Sequence, residues 1–365
     1  MSKWKLIAVN LIVTFVLFNL VYWSLPTWRL LRNIFVSTQL EDDSRARLPN
    51  YANVTWATQH YRELYQIKLG YKSFIGWRQK SFRGGTINIG GPYGQRWTIN
   101  NGTDQSKKVY FFGGSAMWGI GARDDGTIPS EFAAAAGFWS ENFGENGYTA
   151  HQSLMLLVQL LQDGHRPDIV VFYDGANDVY VKCRTGLTPN SHDLEARIDR
   201  LLSDTSPPAT SFAHYFAPLW QFAQQIKSIA FPASAPATSA AFFDCVSKPE
   251  KAAKIAENLV GDWQMAKRLV ESYGGRFVGV LQPVLYFSRT RLHQSVLDHL
   301  ADFPDMRAQF EAVYPLVERR IAEDDGFHSL VRALDIDEYV YVDFCHLSPN
   351  GNRLVAAEIA KFALR

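Results

Sequence analysis

The sequence predicts an α/β protein whose parallel sheet is covered by helices on both faces. Apolar runs of strand length recur at 107–112 (KKVYFF), 168–175 (DIVVFYDG), 276–283 (RFVGVLQP) and 338–344 (EYVYVDF). Helix-length segments with apolar stripes lie between them, and Gly or polar turn residues punctuate the boundaries. Strands that alternate with helices build parallel sheets buried on both sides. In such sheets a site forms outside the carboxyl ends of the strands, where the loops gather.

The elements follow in order. Residues 6–25 (LIAVNLIVTFVLFNLVYWSL) are about twenty mostly apolar positions without charge, the length that a bilayer-spanning helix needs. Lys3 and Lys5 precede the run, Arg29 and Arg32 follow it, and Trp23 and Trp28 stand where an aromatic belt would. No small-x-small cleavage site follows, so residues 1–32 are expected to form an uncleaved signal anchor with the rest of the chain extracytoplasmic. Residues 33–105 are polar, aromatic and Gly-rich, and read as a membrane-proximal β-rich segment.

From residue 106 the pattern becomes that of a main domain reaching to 365. The strand 107–112 ends in Gly113-Gly114. Residues 127–138 read as a helix with Thr127 as N-cap and Pro129 in its first turn. WSENFG is a short strand and loop, and 153–164 is an apolar-striped helix stopped by Gly164. Helices are also expected at about 250–273 and 349–364. Two insertions interrupt the alternation. Residues 180–248 contain the Ala/Pro/Ser-biased FPASAPATSAAFF, which suggests a mobile loop, and 284–330, with Arg and His, suggests a helical lid.

Composition narrows the function. The 365 residues are 47% hydrophobic and 20% charged with a net charge of +1, so no basic face for nucleic acid is implied. The 10 Trp and 16 Tyr suit either core packing or stacking on sugars. Cys183 and Cys245 would be permitted a disulfide in an exported compartment, leaving Cys345 free. No CxxC or Cys/His spacing points to zinc, and no cofactor motif is present.

Four segments carry chemistry. In Gly113-Gly-Ser115-Ala-Met-Trp-Gly119, a serine stands at a strand-to-helix turn, where it either caps the helix or projects its hydroxyl. Asn142-Phe-Gly-Glu-Asn-Gly147 has glycines that allow close backbone approach. Asp174-Gly-Ala-Asn177-Asp178 follows a strand, and its asparagine either makes a turn or donates to a substrate oxygen. Asp343-Phe-Cys-His346 sets an acid three residues before a histidine. A serine hydroxyl needs a base to become a nucleophile, and a carboxylate on the far nitrogen of a histidine selects its tautomer. The N–H groups of Ser115 and Gly147 and the Asn177 amide would then form an oxyanion hole.

These blocks, in this order at strand ends, resemble the SGNH (GDSL-like) hydrolases. The resemblance covers roughly 107–180 and 340–364 and implies a flavodoxin-like three-layer α/β/α sandwich. It also implies Ser115 as nucleophile, Gly147 and Asn177 as oxyanion donors, and Asp343 and His346 as acid and base. The first block departs from the family's usual GDS by having Gly114 where Asp is common. A second pair, Asp325-Gly-Phe-His328, has the same spacing but lacks the helix start that Ser348-Pro349 provides after DFCH. Asp343/His346 is therefore the expected pair.

The expected function is a membrane-anchored serine ester hydrolase acting on O-acyl, chiefly O-acetyl, groups of an extracytoplasmic carbohydrate, without metal or organic cofactor. The same residues would serve an O-acyltransferase with a sugar hydroxyl as acceptor, or a lipid esterase or thioesterase. A non-catalytic glycan-binding scaffold is the remaining alternative.

Overall fold

The structure, a computed structural model, describes residues 4–5, 9–10, 13–17, 43–203, 242–301 and 303–364. Two compact units divide the chain, one of 43–195 with 241–365 and one of 1–42 with 196–240. The first unit contains the sheet and the site. Most of the apolar run 6–25, and most of FPASAPATSAAFF, lie outside the described residues. Among the described residues no helix is long and apolar enough to cross a membrane.

The large unit opens with two short 3-10 turns, Ser44–Arg47 and Pro49–Tyr51, and helix α1 (Ala57–Gln66). Five short strands follow: β1 (Leu69–Lys72), β2 (Gly76–Gln79), β3 (Phe82–Arg83), β4 (Asn88–Gly90) and β5 (Gln95–Arg96). Then come β6 (Asp104–Gly113), α2 (Ser115–Trp118), α3 (Ile128–Ala136), β7 (Phe138–Asn142), α4 (Ala150–Gln162), β8 (Ile169–Asp174) and α5 (Ala176–Lys182). Helix α6 (Glu195–Ser203) leads into the second unit. The chain closes with α7 (Pro249–Glu271), β9 (Arg276–Leu281), α8 (Gln294–Ala301), α9 (Met306–Ile321), β10 (Phe327–Ser329) and α10 (Pro349–Ala363).

The main sheet has the order β10-β9-β8-β6-β7-β5-β4-β3, and β1 and β2 form a separate antiparallel pair. From β7 to β10 every pairing is parallel. Numbered by appearance, these five strands run 2-1-3-4-5, the flavodoxin-like order, whose switch point falls between β6 and β8. Successive residues of a strand face opposite sides. Tyr110, Phe112, Val170 and Phe172 accordingly join α4, α7 and α9 in one core. Val109, Phe111, Val171 and Tyr173 join α3, α10 and the N-terminal turns in the other. The buried stretches Val109–Phe112 of β6 and Ile169–Tyr173 of β8 are therefore apolar throughout. Phe112 and Phe172 are fully buried with ring centroids 5.2 Å apart. Truncating either to Ala would cost about 3–5 kcal/mol.

Most expected elements are present, and their ends obey the local chemistry. The Thr127 hydroxyl accepts from the Ser130 N–H at the start of α3 (3.4 Å), and Thr149 with Gln152 makes a capping box on α4. Three expectations need correction. The part of 33–105 that is described does not stand apart: 43–105 belongs to the same unit, and β3 to β5 extend the main sheet through antiparallel pairing onto β7. Within 284–330, α9 packs in the α7 core and β10 pairs with β9, so much of this stretch is framework rather than lid. Residues 338–344 form no strand. Tyr341 and Leu347 pair across a tight reversal in which Val342 N–H donates to His346 C=O (2.9 Å) and Ser348 N–H to Val340 C=O (2.8 Å). That reversal meets part of its backbone needs locally.

Candidate active site

The switch point brings together loops from the ends of β6 and β8, with the β7 loop beside them. Ser115 is the first residue of the four-residue helix α2, which Gly119 ends at a φ of 104°. The hydroxyl of Ser115 lies 2.7 Å from His346 Nε2, and His346 Nδ1 lies 2.7 Å from Asp343 Oδ2. A carboxylate only accepts, so the proton sits on Nδ1 and Nε2 is left to accept from Ser115. Ser115 and His346 each keep 9% of their surface in contact with solvent, enough for a reacting group to reach them. Asp343 lies deeper.

The reversal of 340–348 explains how three residues bridge acid and base. Asp343 Oδ1 accepts the N–H groups of Cys345 (3.0 Å) and His346 (2.9 Å), which curls the backbone back onto its own side chain. Leu285 N–H donates to Phe344 C=O (2.9 Å), and the Asn50 amide donates to Tyr339 C=O (2.7 Å) and Tyr341 C=O (3.3 Å), fixing the loop from outside. Burial opposes a charge on Asp343, but the His346 imidazole and the Arg45 guanidinium outweigh it and hold the carboxyl well below the usual carboxylate range.

Arg45 is the residue that the sequence did not suggest. Its Nη1 donates to Asp343 Oδ2 at 3.2 Å across 298 residues of chain. No local pattern signals such a contact, since it exists only once the N-terminal turns pack on the sheet face that carries α10.

Gly147 lies on the loop between β7 and α4, and Asn177 in the first turn of α5. Asn177 Nδ2 donates to Tyr148 C=O (2.8 Å), which engages one of its two N–H bonds. Among the described residues the backbone N–H groups of Ser115 and Gly147 have no acceptor. Gly147 has a φ of 80°, a conformation that glycine adopts without strain. Gly114, the departure in the first block, has a spatial reason: a Cβ there would stand 2.4 Å from Asn177 Nδ2. The Asn177 amide fills the space that a side chain at 114 would need.

The β-rich segment braces this side of the site. Arg78 on β2 donates to Phe143 C=O (2.9 Å), Gln79 N–H to Glu145 Oε2 (2.7 Å) and Trp77 Nε1 to Asn146 C=O (3.0 Å). Asp178 of α5 links that helix to the start of α4, accepting from Ala150 N–H (3.3 Å), and also accepts from Lys182 Nζ (2.7 Å) one turn on in α5.

The second Asp-x-x-His pair lies elsewhere. His328 sits on β10 with its ring stacked on Phe362 (3.9 Å), while Asp325 is exposed beside Lys267 (3.6 Å). His151 pairs with Asp262 (2.9 Å), and Arg291 pairs with Asp337 (2.6 Å). Cys183 and Cys245 form a disulfide, and Cys345 is free and buried. Asp343, Cys345 and His346 hold donor atoms within 4.8 Å of one another. They fit a metal poorly: burial pushes the Cys345 thiol well up, away from the thiolate a metal would bind, and both His346 nitrogens are engaged.

No protein-family model matches the chain, and no curated protein does. Among solved structures it is similar to a member of the lipolytic G-D-S-L family from Veillonella parvula, with 12% identity, 71% of this chain and 99% of that chain covered, and a TM-score of 0.41. It is similar to a carbohydrate acetylesterase from Sinorhizobium meliloti, with 15% identity, 70% and 99% covered, and a TM-score of 0.38. An extracellular lipase from Streptomyces rimosus is similar at 14% identity, 70% and 99% covered, and a TM-score of 0.38.

Proposed function

We propose that this protein is a serine ester hydrolase that removes O-acyl groups, O-acetyl foremost, from an extracytoplasmic carbohydrate, held at the membrane by residues 6–25. The observation that carries the reading is the unbroken hydrogen-bond chain from Ser115 through His346 to Asp343, 2.7 Å at each step. Its place at the β6/β8 switch point, where sheets of this order bind ligands, supports the same reading.

In this mechanism the Ser115 oxygen adds to the ester carbonyl carbon while its proton passes to His346 Nε2. Asp343, anionic beside the histidine, stabilises the imidazolium. The oxyanion accepts from the N–H of Ser115, the N–H of Gly147 and the remaining N–H of Asn177. Collapse breaks the bond to the sugar oxygen, which leaves with the proton from His346, and an acyl-Ser115 ester remains. Water then adds to that ester as His346 takes its proton. The second collapse frees the carboxylic acid and returns the proton to Ser115. These side chains and water complete both steps.

The Cys183–Cys245 disulfide supports an oxidising compartment, and the uncharged run 6–25 supports anchoring at its boundary. Such a location favours a cell-surface polymer as substrate. The test incubates the full-length protein in detergent with O-acetylated polysaccharides, aryl esters of varied chain length and acyl-CoA, with and without an acceptor glycan. Acetate release that depends on Ser115 is the expected result. Acyl groups recovered on the acceptor would make it a transferase, and turnover of long-chain esters alone would remove the carbohydrate assignment. No turnover, together with no labelling of Ser115 by a fluorophosphonate, would sink the reading altogether.

A further inference from the structure

We infer that Arg45 is a positioning residue for the reaction, acting on Ser115 through Asp343 and His346; this rests on the hydrolase reading above. Asp343 Oδ2 is shared between His346 Nδ1 at 2.7 Å and Arg45 Nη1 at 3.2 Å, while Oδ1 accepts two backbone N–H groups. The carboxylate is thus held from all sides in the plane that points Oδ2 at the imidazole. Arg45 is itself immobilised. Asp43 accepts from its Nε (3.1 Å) and Nη2 (2.8 Å), and Tyr65 donates its hydroxyl to Asp43 (3.0 Å). The guanidinium carbon stands 4.7 Å over the Tyr61 ring. Two residues of one short turn therefore form a fixed fork, and the fork's free nitrogen reaches the acid.

The consequence concerns the states in which His346 is neutral. A buried carboxylate facing only a neutral imidazole would have no cationic partner and would be costly to keep ionised. The guanidinium supplies that partner throughout the cycle. Asp343 then stays anionic and oriented before His346 becomes charged, so little reorganisation remains for the transition state. The N-terminal turns of the sheet unit are in this way part of the reaction machinery, with Asn50 holding the same loop by Tyr339 and Tyr341.

A double-mutant cycle on the full-length protein tests this with an aryl acetate as probe. Arg45→Gln should lower kcat about tenfold and change KM less than about twofold, within the coupling expected of contacting residues. Arg45→Lys, and guanidinium ion added to Arg45→Gln at a non-denaturing concentration, should each restore part of the rate. In an Asp343→Ala background the Arg45→Gln change should do almost nothing, because the group it acts on is gone. A merely structural arginine would lower the rate equally in both backgrounds, and that result, or an unchanged kcat, would overturn the inference. If Arg45→Gln fails to fold, the Arg45→Lys variant carries the same cycle. A Ser115→Ala control separates the two levels: activity that survives it removes the hydrolase reading, not the role of Arg45 alone.

Discussion

The pattern Asp-x-x-His occurs at 325–328 and again at 343–346, and the two segments end in different surroundings. At 343 the carboxylate accepts the N–H groups of residues 345 and 346, so the chain curls and the imidazole lies against its own acid. From Asp325 the chain instead runs into the edge strand β10, where each residue advances about 3.3 Å and the acid is left in solvent beside Lys267. His328 spends its ring on Phe362. The difference teaches that spacing only permits an acid–base pair. Backbone conformation makes it, and the serine 231 residues away makes it useful.

The comparison can be broken most directly at its centre. Ser115→Ala should lower turnover of an aryl acetate by roughly 10,000-fold or more while the thermal midpoint stays near that of the parent, leaving what the oxyanion donors alone can provide. A parent-like rate would remove the special status of the 343–346 pair along with the serine. His346→Ala should cost about as much as the serine change, and the double variant should be no worse than either alone. His328→Ala should leave the rate within about threefold, since its ring stacks on Phe362 and not on Ser115. The reverse ranking would assign the chemistry to the other segment.

Asp343→Ala should be less damaging than His346→Ala by about tenfold to a hundredfold, because an unaided imidazole still accepts a proton in some orientations. Steady-state kinetics on the three variants side by side would show this ranking or its absence. Gly114→Ala sharpens the view of the neighbouring loop. Its Cβ would displace the Asn177 amide, 2.4 Å away, and kcat should fall by about tenfold, less than outright loss of an oxyanion donor. An unchanged kcat would mean that Asn177 does not serve the reaction.

The smallest effect is on stability against acid. The Asp343 carboxyl titrates below its ordinary 3.8 in the folded protein, so its ionised form favours the fold wherever the unfolded carboxyl is also ionised. That contribution is complete above about pH 5 and fades as pH falls below about 4 toward the folded-state value. Thermal midpoints measured from pH 7 to pH 3 should therefore drop more steeply for the parent than for Asp343→Asn. Parallel curves would show that the His346 and Arg45 contacts do not stabilise the charge.

Much of this was legible in the residues. Alternation of apolar strands with striped helices specifies a doubly covered parallel sheet because each element can bury its apolar surface only against the other kind. Glycines and polar residues at strand ends mark where the loops gather, and Ser115, Gly147, Asn177, Asp343 and His346 all stand there. Turn chemistry is local, so caps such as Thr127 and Thr149 could be read from a few neighbouring residues.

What only the tertiary structure decided is non-local. The run EYVYVDF has strand composition, yet it folds back on itself, because the Tyr341–Leu347 pairing and the Asn50 amide meet its hydrogen-bonding needs where no sheet edge does. Short strands β3 to β5 and β10 gain stability only from the sheet they extend, so their few residues carry little signal alone. Arg45 is the clearest case. A salt bridge spanning 298 residues leaves no periodicity or motif behind, since charge acts through space and the sequence records only order along the chain.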